Sequence, residues 1–248
     1  MARRLKDNPL LFPLKLVRRV VLFQLWPAVR PLFWTKLEKA RQYVGAWSEA
    51  QAIGQGQLEL LKMDGCTPAS HVLEIGCGCL VAGLPIIKYL QADRYVGIEP
   101  NTWLIDAVTK GDKEAGLLVR EKRPIFLDNT DFDGSPSGRV ADYVISHSIL
   151  SHAAHWQYPL FLKSIKKCLA PHGVVLCSIR FFNDGGELMG DSNDAEWVYP
   201  GVSFFSWETV QRVAAEQGFR VEWRKDYKAF FVTRYPRHVH EWLRLTLA

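Results

Sequence analysis

The sequence predicts a doubly wound α/β fold: a mostly parallel, seven-stranded sheet with helices on both faces, an antiparallel hairpin at one edge and a helical arm in front. Three observations predict it. Short apolar runs alternate with amphipathic stretches between residues 71 and 179. The first run, HVLEI, enters a glycine turn. Two strand-like runs, FRVEWRK and YKAFFVTR, flank Asp226 near the C-terminal side.

The 248 residues are 48% apolar and 23% charged, ordinary globular composition that supplies a sizeable core. Residues 1–45 hold ten Lys or Arg against Asp7 and Glu38, a local net charge of +8, so the other 203 residues carry −3. A basic arm on a slightly acidic body does not suit a protein that coats nucleic acid with a folded basic face. The odd cysteine count, five, fits free thiols in a reducing, cytoplasmic compartment. Cys77 and Cys79 are spaced more tightly than paired zinc ligands usually are and read as small buried hydrophobes. No metal-ligand cluster stands out.

Within the basic arm, taken as residues 1–45, Leu14, Val17, Val21 and Leu25 recur at helical spacing with Lys15, Arg18 and Arg19 off that face. Arg18, Arg19, Pro27 and Pro31 interrupt it too closely for a membrane span, and no small-residue cleavage site follows. Two readings remain: a helix packed on the main domain or on a second copy in a homodimer, or a helix lying in an anionic membrane surface with Trp26 and Trp34 at headgroup depth. The first is favoured.

The main domain, residues 46–248, opens with Gly54 and Gly56 ahead of a helical QLELLKM. A strand at 71–75, a helix at 82–90, a strand at 94–99 and a helix at 103–110 follow. PIFL at 124–127 and DYVIS at 142–146 continue the sheet. In the helix at 158–169, Phe161, Ile165 and Cys168 share a face, and Pro171-His172-Gly173 stops it before the strand GVVLCSI. Residues 183–202, polar and glycine-rich, read as a long functional loop. A helix at 207–217 ends at Gly218, and the hairpin around Asp226 completes the sheet.

Glu74 stands directly before the glycines Gly76 and Gly78. In a dinucleotide-binding turn a carboxylate there repels the diphosphate, and the third glycine of G-x-G-x-x-G is absent. A sulfonium donor with an ammonium removes that difficulty.

VLEIGCG at 72–78, YVGIEPN at 95–101, FLDNTDF at 126–132 and ADYVISHSILSHA at 141–153 resemble, in order and spacing, four motifs of the class I, Rossmann-like S-adenosylmethionine-dependent methyltransferases, over residues 50–235. The GCGCLVAG form departs from relatives with a third glycine at position 80, where Leu80 stands, and Gly83 is expected to supply the close packing instead. It resembles a bacterial subgroup linked to small-molecule and sugar methylation. The resemblance implies S-adenosylmethionine as cofactor. It implies Glu74, Gly76 and Gly78 around the donor's methionine part, Glu99 on the ribose hydroxyls, and Asp131 and Phe132 at the adenine, with Asp128 competing.

Methyl transfer asks the protein to hold nucleophile and methyl in line and to take a proton from a hydroxyl acceptor. His147 and His152 sit where that acceptor approaches, with His155 behind them, although such histidines also serve as packing residues. The expected activity is O-methylation of a small molecule such as a sugar or lipid-linked glycan. A catalytically silent protein-binding module and a nicotinamide-dependent oxidoreductase are the competing readings.

Overall fold

The computed structural model describes residues 34–43, 47–181, 183–184, 187–188, 201–234 and 239–248. Seven strands form one sheet: β1 (Val72–Ile75), β2 (Tyr95–Ile98), β3 (Ile125–Leu127), β4 (Ala141–Ser146), β5 (Leu169–Ile179), β8 (Phe219–Trp223) and β9 (Glu241–Leu247). Between them, β6 (Asn183–Asp184) and β7 (Glu187–Leu188) pair as a separate two-stranded ladder. The strand order is β3-β2-β1-β4-β5-β9-β8. β1 to β5 are parallel, while β9 runs antiparallel to both β5 and β8.

Helices cover both faces because successive strand residues point to opposite sides. On one side Leu73, Ile75, Val144, Val175 and Ile179 pack with Phe161 and Ile165 of α6 (Gln157–Lys166) and Val210 of α7 (Trp207–Glu216). On the other, Val72, Ile145, Leu176 and Trp242 meet Leu61 of α2 (Trp47–Met63), Ile86 of α3 (Gly83–Tyr89) and Phe231 of α8 (Lys225–Arg234). A third cluster joins Ala40 of α1 (Lys36–Tyr43) to Leu104 and Val108 of α4 (Thr102–Gly111). Arg41 of α1 also meets Asp112 at 2.8 Å. Asp112 in turn caps α5 (Lys113–Lys122), accepting from the amides of Glu114 and Ala115.

The doubly wound sheet is the expected one, with three local corrections. YKAFFVTR is helix α8, and the edge hairpin is made by β8 with EWLRLTL, which is β9. Tyr227 and Phe231, one helical turn apart, are both buried while Ala229 between them is exposed; a strand would put all three on one face. Gly54 and Gly56 lie inside α2, not ahead of it: a Cβ on Gly54 would stand 2.7 Å from the carbonyl carbon of Val81. Pro171, His172 and Gly173 interrupt β5, where the register with β4 jumps from Leu169 to Val174.

All five cysteines are free and buried. No helix among the described residues is long and apolar enough to cross a membrane. Residues 1–33 of the arm, with the apolar face from Leu14 to Leu25, and residues 189–200 of the long loop lie outside the described residues.

Candidate active site

The site forms beyond the carboxyl ends of β1, β2 and β4, where open parallel sheets leave a crevice between helices leaving opposite faces. After Ile75 the chain turns through Gly76 (φ +73°) and Gly78 (φ +51°), both in the left-handed region that glycine enters without strain. The amides of Gly76 and Cys77 donate to the Ile98 carbonyl at 2.9 and 3.0 Å and fasten the turn to the tip of β2. Leu80, where a third glycine is expected, also has φ +59°, and its side chain is fully buried. Gly83 provides the close approach: a Cβ there would meet the Tyr95 hydroxyl at 2.8 Å and Leu80 Cδ2 at 2.9 Å.

Glu99 closes this half of the site. Its Oε2 accepts the Gly78 N–H at 3.0 Å and its Oε1 the Asn101 N–H at 2.8 Å. A carboxylate offers about four acceptor positions, so each oxygen keeps one for a further donor. The site thus has a fixed, two-pronged acceptor suited to a vicinal diol.

Glu74 lies elsewhere than its position before the glycines suggests. Its carboxylate is turned beneath the turn, 5% exposed, and accepts the Tyr95 hydroxyl at 2.5 Å. Burial pushes its pKa up to about 8, partly offset by the Tyr95 bond and reinforced by the charge of Glu99. The same burial, with Glu74 and Glu99 nearby, holds the Cys77 thiol well above its usual range. A carboxyl of this kind is largely neutral at pH 7, so repulsion of a diphosphate is not its contribution.

Asp131 is exposed. Phe132 is buried, with φ +63°, and packs edge-on against Phe161 of α6 at 5.6 Å between ring centroids. Asp128, like Asp131, is exposed.

The histidines split into two groups. His147, directly after β4, stacks on Trp242 (5.5 Å) and lies 4.9 Å from the ring of His240. His152 is held differently, its Nδ1 3.0 Å from the Gly201 carbonyl. The nitrogen facing a carbonyl must carry the proton, which leaves the lone pair of the neutral ring on Nε2. His155 likewise donates from Nε2 to the Phe204 carbonyl at 2.8 Å. Ile149 joins the two halves of the site: a Cβ on Gly76 would stand 2.6 Å from Ile149 Cγ1, so the segment after β4 rests on the glycine turn.

A family model described as a methyltransferase domain matches residues 35–222. The chain belongs to the methyltransferase-domain family. As a fold, this methyltransferase is similar to the magnesium protoporphyrin IX methyltransferase of Synechocystis solved with bound S-adenosylmethionine, at 13% identity and a TM-score of 0.55, covering 94% of this chain and 96% of that one. It is also similar to a glycopeptide N-methyltransferase, at 14% identity and a TM-score of 0.57, covering 80% and 90%. A comparison with curated protein sequences finds no match.

The methyltransferase contains a further pair that its sequence did not announce. Ser151 is fully buried, and its Oγ lies 3.1 Å from His240 Nε2, 89 positions along the chain. Ser148, at φ +61°, lies 3.5 Å from Ser151 Oγ and donates its amide to Ser178 Oγ at 2.8 Å. A non-glycine residue in the left-handed region at a strand end is strain of the sort that collects at functional sites. His240 carries no motif and becomes visible only when β9 is seated beside β5.

Proposed function

We propose that the protein is an S-adenosylmethionine-dependent methyltransferase that O-methylates a small molecule such as a sugar or lipid-linked glycan. The observation that supports the donor most directly is Glu99, braced by Gly78 and Asn101 with acceptor capacity left on both oxygens. When bound, the donor supplies a methyl group already activated by an adjacent sulfonium. Gly76 and Gly78 let the backbone approach its methionine part, and Glu99 receives the two ribose hydroxyls. Glu74 acts from below as a positioning residue, holding Tyr95 and the glycine turn together, while Asp131 and Phe132 are assigned to the adenine side.

The acceptor lies over the end of β4. His152, whose Nε2 holds the lone pair, and His147, fixed between His240 and Trp242, are the residues assigned to taking the acceptor's proton. A hydroxyl acceptor needs such a base because its own pKa is far above neutrality.

Calorimetry with S-adenosylhomocysteine tests the donor site. Glu99→Ala is expected to weaken binding by about a hundredfold or more, the worth of two hydrogen bonds to a charged group, and to lower the melting temperature because the Gly78 and Asn101 amides lose their acceptor. Binding that is absent from the wild-type chain, or equal in both proteins, would overturn the reading.

A further inference from the structure

Beyond the donor site, the acceptor side of the cleft carries a cation without a counter-charge among the described residues. Arg180 follows Ile179 at the carboxyl end of β5 and is half-buried. Alternation along β5 puts it on the face of Leu176 and Ser178. Ser178 is the register partner of Trp242, the residue on which His147 stacks, so Arg180 shares the face of the histidine cluster.

The guanidinium lies 4.9 Å from the centroid of the Phe204 ring. That ring is set by a short strap: the Ser203 amide donates to the Ser151 carbonyl at 2.9 Å, and the Phe205 amide to the Arg180 carbonyl at 2.9 Å. Ser151 is the residue bonded to His240. Contacts therefore run without a gap from His147 through His240, Ser151 and Ser203 to Phe204 and Arg180.

Among the described residues no carboxylate pairs with Arg180. Glu241, the register partner of Ile179 next to it, is engaged by Lys228 and by Trp223 Nε1 at 2.9 Å. A planar guanidinium stacked on an aromatic ring is pre-organised, loses little freedom on binding and matches a planar or tetrahedral oxyanion in a two-pronged fashion. At a sheet end where ligands bind, beside two histidines and with no acidic partner among the described residues, that fork is suited to something that arrives from outside.

We infer that Arg180 and Phe204 form the acceptor-anchoring subsite of this methyltransferase, and that the acceptor carries an oxyanion, a carboxylate or a phosphate, which docks on Arg180. This rests on the methyltransferase reading and narrows its substrate class from small molecules in general to acidic ones. Arg180 is a specificity residue: it holds the substrate through a group other than the one that accepts the methyl.

The test uses the whole chain with tritium-labelled S-adenosylmethionine and fractions of a small-molecule cell extract separated on an anion exchanger at neutral pH. Label is expected in the retained fractions. Phosphatase treatment that abolishes retention marks a phosphate, and resistance to it marks a carboxylate. With the labelled fraction as substrate, Arg180→Gln is expected to raise KM by about thirtyfold with kcat and S-adenosylhomocysteine affinity unchanged, and Arg180→Lys to recover part of the loss. Label confined to unretained fractions, an unchanged KM, or a fall in kcat together with melting temperature would each overturn the assignment. A wild-type chain that binds S-adenosylhomocysteine yet labels no fraction overturns the subsite, whereas one that binds no S-adenosylhomocysteine overturns the methyltransferase reading itself.

Discussion

At the scale of single residues, Glu74 sets a pH dependence whose sign follows from its burial. Its folded pKa, about 8, lies above the ordinary 4.5, so between those values the native state holds a proton that the unfolded chain has released. The stability this provides is complete below pH 4.5 and is lost as pH rises through 8, at about 1.4 kcal/mol per pH unit within the window. Glu74→Gln keeps an acceptor for the Tyr95 hydroxyl and cannot ionise. Urea denaturation at pH 5.5 and 8 is expected to show the wild type losing more stability than the variant; parallel losses would show that Glu74 ionises normally. The residue was legible in the sequence as an oddity before the glycines, but which way its carboxylate turns was not. That depends on Tyr95, which occupies the neighbouring strand with its hydroxyl directly in reach.

At the scale of elements, Gly54 decides how closely α2 approaches the chain after the glycine turn. A Cβ there would lie 2.7 Å from the Val81 carbonyl carbon and closer still to its oxygen, both of them backbone atoms with little room to yield. Alanine is favoured over glycine in a helix by about 1 kcal/mol, whereas overpacking of this kind costs about 1–3 kcal/mol. Gly54→Ala is therefore expected to lower stability in denaturant melts, and a gain would show that α2 slides freely. The sequence announced most elements because strand and helix periods differ, and from β1 to β4 the two patterns alternate cleanly. It misled where composition competed with period. YKAFFVTR is rich in aromatic and β-branched residues, yet it buries Tyr227 and Phe231, a helical turn apart, and exposes Ala229 between them. His240 was illegible for a different reason: its partners Ser151 and His147 are distant in sequence and are brought to it only by the pairing of β9 with β5.

At the scale of the whole molecule, β9 is the keystone of the sheet's antiparallel side. It pairs with β5 along one edge and β8 along the other, and its Trp242, Leu243 and Leu245 are fully buried. Asp64 at the end of α2 fastens it from the opposite side, accepting Arg244 Nε at 2.8 Å and the Tyr227 hydroxyl at 2.8 Å. A chain ending at residue 240 is expected to lose cooperative unfolding in circular dichroism and to aggregate, since β5 and β8 would then present unpaired edges. A sharp, reversible melt from that shortened chain would show the remaining five parallel strands to be self-sufficient.

Placing an interior strand after the other six strands of the sheet has a bearing on biosynthesis. The amino-terminal βα units can dock while translation proceeds, but one border of their sheet stays bare until residue 247 clears the ribosome. During that interval the nascent chain is a natural client for chaperones, and slow codons placed just ahead of residue 241 would prolong its exposure.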